Sequence, residues 1–295
     1  MAKRKGKQSK RQWIVERDSR NTYTLRFDCQ SLKFSHDILF ISDAHWDNPH
    51  CDRELLASHM RQAVEKDCPI ICVGDFFCAM QGKYDPRQSR ESLRPEHARS
   101  DDYLDTLVAT ATDWLEPYCQ NLILIGQGNH ETAILKRHET DLIERLASMV
   151  RMKHGGITHA GGYANWIRTM FKRGHWTYSE VIYAHHGFGG GGEMSQGKPD
   201  MLKLMMQVRA DVLACGHIHR KEAFPHSYAF LSRGGVVKQS VIHCLRLGTY
   251  KDEYQEGSGG WHIEKGRGPR PLGGYWLRYE FGRNKEIYRS AMEAI

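Results

Sequence analysis

The sequence predicts an α/β fold. Two observations carry that expectation: short apolar runs with no polar alternation, and amphipathic helical patterns between several of them. Runs this short and continuous suit strands that are covered on both faces. The first strand signal, "TYTLRF" (22–27), instead alternates. Five continuous runs follow: "ILFI" (38–41), "IICV" (70–73), "LILI" (122–125), "VIYA" (181–184) and "VLAC" (212–215).

The helical patterns fall at 52–66, with Leu55, Leu56, Met60 and Val64 on one side, and at 100–117, with Leu104, Leu107, Val108 and Leu115. A third spans 131–151 through Ile134, Leu135, Leu142, Leu146 and Val150. A fourth spans 200–209 through Leu202, Met205, Met206 and Val208. Each places its apolar residues at helical spacing. Toward the end, "VVKQSVIHCLRLGTY" and "GYWLRYEF" read as strands around the irregular "QEGSGGWHIEKGRGPRPLGG". A polar segment at 79–102 reads as an inserted loop or cap. With no internal repeat and no linker, 13–295 is expected to be one domain.

Hydrophobic content of 40% and charged content of 26% are ordinary for a globular chain. No apolar run approaches about 18 residues, so no membrane span is expected. The first residues lack the apolar core of a secretory signal, which predicts a cytoplasmic protein. The net charge of +7 is concentrated in the tail 1–12, where Lys3, Arg4, Lys5, Lys7, Lys10 and Arg11 stand without an acid. Such a tail suits nucleic acid or plain solvation. The eight cysteines show no C-x-x-C spacing, and several sit in apolar runs, which predicts reduced, buried thiols.

Each of the five apolar runs ends in residues able to bind a metal. "SDAHWD" brings Asp43 and His45, "GDFF" brings Asp75, and "GQGNHE" brings Asn129 and His130. "HHG" brings His185 and His186, and "GHIHR" brings His217 and His219. Singly, each block reads equally as a turn or a cap. Together, at the carboxyl ends of successive strands where α/β sheets bind ligands, they point to one site. Oxygen and imidazole donors without thiolate suit Mn, Fe, Zn or Ni. The set is too large for one tetrahedral ion but sufficient for two, about 3.5–4 Å apart, activating a bridging hydroxide for displacement at phosphorus.

The stretch "HGFGGGG" offers a competing signal. Gly187–Gly192 matches the G-x-G-x-x-G dinucleotide pattern, and Asp211 lies about twenty residues on. A dinucleotide loop opens directly into a helix, however, and here the helical pattern resumes only near Asp200. The histidines before the glycines are the informative letters.

The order D-x-H … G-D … G-N-H-E … H-G … G-H-x-H, spanning 43–219, resembles the calcineurin-like metallophosphoesterase superfamily, including its phage-type sequences. The resemblance implies a four-layer α/β/β/α sandwich of two mixed sheets flanked by helices. It implies that Asp43, His45 and His219 hold one divalent ion, that Asp75 bridges, and that Asn129, His186 and His217 hold the other. Mn is the first expectation for both ions, with Fe, Zn and Ni as alternatives. His130 matches the position of a general acid or transition-state stabiliser. The glycine directly after it favours His186 over His185 as the ligand. Glu131 reads as the start of a helix. Two departures stand out: Cys78 replaces the Asp or Asn often found three residues after the bridging Asp, and "GDFFCAM" lacks the phosphoprotein-phosphatase pattern.

The expected activity is phosphodiester hydrolysis, with nucleic acid as the first substrate class. The alternatives are a small phosphorylated substrate, with 79–102 as a lid, and a non-catalytic scaffold. Arg220 and "EKGRGPR" (264–270) are candidate polyanion contacts, and Trp46, Trp261 and Tyr275 candidate stacking residues. The plainer expectation for each is a core aromatic, or an arginine neutralising a neighbouring carboxylate.

Overall fold

Alternate residues of a strand face opposite ways, so a continuous apolar run needs a core on both sides. A computed structural model supplies a core on both sides of each sheet. It describes residues 11–31, 33–80, 93–98, 100–190, 192–254, 261–281 and 287–294. The tail through Lys10, most of the polar insertion (81–92 and 99), residue 191 and 255–260 lie outside the described residues.

The chain opens with β1 (Trp13–Ser19), β2 (Thr22–Asp28), β3 (Ser35–Ile41), α1 (Arg53–Glu65) and β4 (Ile70–Cys72). The short α2 (Pro95–Ala98), α3 (Tyr103–Trp114), β5 (Leu122–Ile125), α4 (Asn129–His138) and α5 (Leu142–His154) follow. Next come β6 (His159–Ala160), β7 (Ala164–Arg173), β8 (Trp176–His185), α6 (Lys198–Gln207) and β9 (Val212–Cys215). The order ends with β10 (Glu222–Leu231), β11 (Val237–Arg246), α7 (Trp261–Glu264), β12 (Tyr275–Phe281) and β13 (Ile287–Glu293).

The strands form two sheets, ordered β1-β2-β7-β8-β9-β11-β10 and β13-β12-β3-β4-β5-β6. Both are mixed. β3 to β6 are parallel neighbours and β12 runs antiparallel to β3. β8 lies parallel to β9 but antiparallel to β7.

Three apolar clusters make the layers. Ile38, Phe40, Ile71 and Val73 meet Leu25, Phe27, Ile167, Ile182 and Val212 between the sheets. Their strand neighbours Leu39, Ile41, Ile70 and Cys72 face outward onto Leu56, Met60, Leu107 and Leu146 of α1, α3 and α5. On the far side, Tyr183, Leu213 and Cys215 pack against Met201 and Leu204 of α6. The result is the expected helix–sheet–sheet–helix sandwich. Each fully buried Leu, Ile or Phe contributes about 1.5–3 kcal/mol, so a run apolar on both faces holds two layers at once.

Some segments depart from expectation. The pattern over 131–151 is two helices, because Glu139 adopts a left-handed conformation (φ 51°) and Asp141 caps a new helix through Glu144 N at 3.0 Å. "VIYA" is the buried end of the ten-residue β8. Strands β7 and β10 escape sequence reading because β7 mixes polar and apolar residues on both faces and β10 is a largely exposed edge that tolerates Pro225. Arg11 is engaged with the folded body: its Nε donates to Asp67 Oδ1 at 3.0 Å and its guanidinium covers the Trp13 ring. All eight cysteines are free and buried. Among the described residues, no helix is long and apolar enough to cross a membrane.

Candidate metal centre

The five blocks lie at the carboxyl ends of β3, β4, β5, β8 and β9, three from one sheet and two from the other. Main-chain hydrogen bonds join the loops. Asp43 N donates to Gly74 O at 2.9 Å and His45 N to Asp75 O at 3.1 Å. Across the second sheet, Gly216 N donates to His186 O at 2.9 Å. Between sheets, the His217 amide donates to Asp43 Oδ2 at 2.9 Å.

Five of the seven expected ligands, Asp43, His45, Asp75, His217 and His219, have φ between 46° and 77°. Asp and His tolerate this region better than most residues, yet each such position is strained by about 1 kcal/mol or more. Glycines provide the room. A Cβ at Gly128 would overlap the Asp75 carboxylate, and one at Gly216 would overlap Ser42 and the Asp43 carboxylate. These contacts explain the glycine before Asn129 and the glycine before His217.

The side chains form two adjoining groups, Asp43 with His45 and His219, and Asp75 with His186 and His217. In the first, His45 Nε2 and His219 Nε2 face each other at 3.1 Å, and His219 Nε2 lies 3.3 Å from Asp43 Oδ1. In the second, His186 Nε2 lies 3.2 Å from Asp75 Oδ2 and 3.1 Å from Asn129 Oδ1. His217 Nδ1 lies 2.8 Å from the same Asn129 oxygen. The structure thus brings all seven expected ligands together. His185 is turned away: its Nδ1 accepts from Gly187 N at 2.9 Å, and its ring packs on Tyr183 and Phe188.

The donor set fits divalent cations. Ligand atoms about 2.1 Å from one ion lie about 3.0–3.4 Å apart, close to the 2.8–3.3 Å separations in the two groups. Two imidazole nitrogens face to face satisfy each other only if one is protonated, whereas a shared cation uses both lone pairs. Asp43 is fully buried, and its Oδ1 faces His219 Nε2 at 3.3 Å.

Electrostatics agrees. Burial pushes Asp43 and Asp75 up, but His186 and neighbouring imidazoles hold both below the ordinary carboxylate value. Burial opposes a charged His186, yet Asp75 and Asp43 raise it to about 9. Two buried carboxylates demand positive charge. Burial, reinforced by nearby imidazoles, keeps His45 and His217 below the usual value and so in the neutral, ligating form.

Outer contacts fix the rings. His217 Nε2 donates to Gly189 O at 3.0 Å, which leaves Nδ1 for the site. His130 Nδ1 donates to Cys78 O at 2.5 Å, which directs Nε2 toward Asp75 Oδ2 at 3.8 Å. At Cys78, the departure from the usual motif, the main chain serves the site. Its thiol, pushed up to about 12 by burial, stays protonated.

Two functional side chains were missed or underrated in the sequence. Asp47 accepts from Cys78 N at 2.5 Å, Ala79 N at 2.8 Å and Tyr103 Oη at 3.0 Å, and so holds the loop that carries that carbonyl. Its place in "SDAHWD" was the available signal. Glu131 does more than start a helix, joining the β4 and β5 loops by accepting from Phe77 N and Gly128 N. Burial and the Asp75 charge raise its carboxyl to about 8.

The expected substrate contacts fare differently. Trp46 is buried against Phe76, and Tyr275 is a core residue of β12, so neither is available for base stacking. The side chain of Trp261 lies outside the described residues. Arg220 neutralises a carboxylate, Glu193. Asp211 accepts from Val181 N at 2.8 Å, tying the start of β9 to β8.

The sequence model for the calcineurin-like phosphoesterase family matches residues 36–221. No curated protein sequence matches the chain. Similar solved structures include a predicted phosphoesterase from Streptococcus pneumoniae, 13% identical, covering 88% of this chain and 98% of its own, with TM-score 0.31. Vacuolar protein sorting 29 from Cryptosporidium parvum is 14% identical, with coverage of 88% and 98% and TM-score 0.34. GAP50, the anchor in the inner membrane complex of Plasmodium, is 11% identical, with coverage of 89% and 85% and TM-score 0.43.

Proposed function

The chain belongs to the calcineurin-like phosphoesterase family, and on that premise we propose that it is a two-metal phosphodiesterase acting on nucleic acid. The observation that carries the reading is the convergence of Asp75, Asn129, His186 and His217 beside Asp43, His45 and His219. Asp43, His45 and His219 would hold one ion and Asn129, His186 and His217 the other, with Asp75 available to both. Two divalent ions, Mn²⁺ foremost and Fe, Zn or Ni otherwise, would supply Lewis acidity and a nucleophile available at neutral pH.

His130 serves the leaving group. With Nδ1–H anchored on the Cys78 carbonyl, Nε2 carries the proton to the departing oxygen as its bond to phosphorus breaks. The products are a phosphomonoester and an alcohol. Nucleic acid is favoured by the concentration of charge in the tail, since a basic arm on a nearly neutral body adds affinity for a polyanion.

The test is a Mn²⁺ assay on bis-p-nitrophenyl phosphate, p-nitrophenyl phosphate, single- and double-stranded DNA, RNA and cyclic nucleotides. Bis-ester turnover is expected and should vanish in Asp75→Asn. His130→Ala should lower kcat on DNA by about 10²–10⁴-fold, and by less on the p-nitrophenyl ester, whose leaving group needs little protonation. A metal-loaded protein that turns over none of these substrates would sink the hydrolytic reading. Turnover of monoesters alone would move it to a small phosphorylated substrate.

A further inference from the structure

Two arginines at the edge of the centre close on one carboxylate. Arg220 directly follows His219, and its Nη2 donates to Glu193 Oε2 at 2.5 Å. Arg270, from the segment after α7, donates through Nη2 to Glu193 Oε1 at 2.7 Å. Glu193 belongs to the glycine-rich loop between β8 and α6, whose Gly189 carbonyl also meets His217. The partners differ in accessibility. The Arg270 side chain is 4% exposed and that of Arg220 19%, whereas Glu193 is 46% exposed. Both Nε atoms are buried with no hydrogen-bond partner among the described residues.

A purely structural ion pair accounts poorly for this arrangement. Two guanidinium groups against one carboxylate leave a positive excess and unused buried donors, which is costly. The arginines are the fixed members and the exposed glutamate the removable one. Guanidinium forks match phosphate oxygens, and a doubly charged phosphoryl group would balance both cations.

From this geometry we propose that Arg220 and Arg270 form a subsite for a second phosphoryl group of the substrate, occupied in the free protein by Glu193 as a displaceable stand-in. The subsite rests on the phosphodiesterase reading of the adjoining centre. A polynucleotide presents the second group as a neighbouring backbone phosphate, and a nucleoside diphosphate presents it within its anhydride.

The test is equilibrium binding with Mn²⁺ by the full chain carrying His130→Ala, which slows diester turnover, comparing a thymidylyl dinucleotide with and without a 5′-phosphate, and ADP with AMP. The extra phosphate should tighten binding. Arg220→Gln should cut that preference about tenfold or more, and Glu193→Gln, which removes the competitor, should enlarge it. Glu193 is exposed, so its variant also answers the question if Arg220→Gln misfolds. A preference confined to the dinucleotide pair assigns the group to a polynucleotide, and one confined to ADP assigns it to a small nucleotide. A Glu193→Gln preference that is unchanged or reduced overturns the subsite. Bis-ester turnover without any preference also overturns the subsite alone, whereas a preference without turnover on any substrate overturns only the hydrolytic reading.

Discussion

His185 and His186 leave the end of β8 side by side, and the alternation of an extended chain sends their rings to opposite faces. His186 is fully buried, 3.2 Å from Asp75 Oδ2. His185 leans on Tyr183 and Phe188 instead. His186→Ala is therefore expected to lose bound metal, read by elemental analysis of the purified protein, while His185→Ala keeps its complement. Metal retained in the first and lost in the second would transfer the ligand role to His185. At this scale the sequence was informative about residue type and silent about direction: "HHG" offers two imidazoles, and only the packing of one face of the chain against Asp75 and Asn129 selects one. The left-handed conformations of Asp43, His45, Asp75, His217 and His219 were likewise invisible. They arise because loops from two sheets must turn sharply to bring donors to one point.

Elements were legible where their pattern is local and their surroundings symmetrical. The runs at β3, β4, β5 and β9 are apolar on both faces because a core lies on each. The helical pattern across 131–151 failed for a specific reason: apolar spacing continues across a break that backbone conformation imposes. Glu139 ends α4 at φ 51°, and the Asp141 carboxylate caps α5 while also accepting from Gln127 Nε2 at 2.9 Å. A left-handed helix end is the position where glycine is favoured. Glu139→Gly is expected to stabilise the fold by about 0.5–1 kcal/mol, measured as a higher urea midpoint at unchanged slope. A lower midpoint would mean that the Glu139 side chain contributes more than its backbone costs.

At the scale of the whole molecule, the core between the sheets carries a pH dependence separate from the candidate metal centre. His36, near the start of β3, stacks on Phe27 at 4.7 Å and Phe34 at 5.3 Å, and its Nε2 has no hydrogen-bond partner among the described residues. Burial, only partly opposed by Asp37, lowers it to about 4. An unfolded histidine titrates near 6.5. Between these values the unfolded chain holds a proton that the native chain lacks, so stability falls as pH drops through that window and levels off below it. The loss is about 3 kcal/mol at most. His36→Phe should remove most of it, seen by comparing urea unfolding of both proteins near neutral pH and near pH 4. Parallel losses in the two proteins would exclude His36 as the source.

The sequence by itself determined the layered α/β class, the two-faced strands and the five donor-bearing blocks, because each is written in residues close together along the chain. The tertiary structure decided what depends on distant partners. His217 meets Asp43 across 174 positions, His130 is aimed by a carbonyl 52 residues away, and Glu193 meets Arg270 across 77. Periodicity and spacing carry no signal for such pairs. They are chosen when two sheets pack face to face and bring the ends of their strands to a common edge.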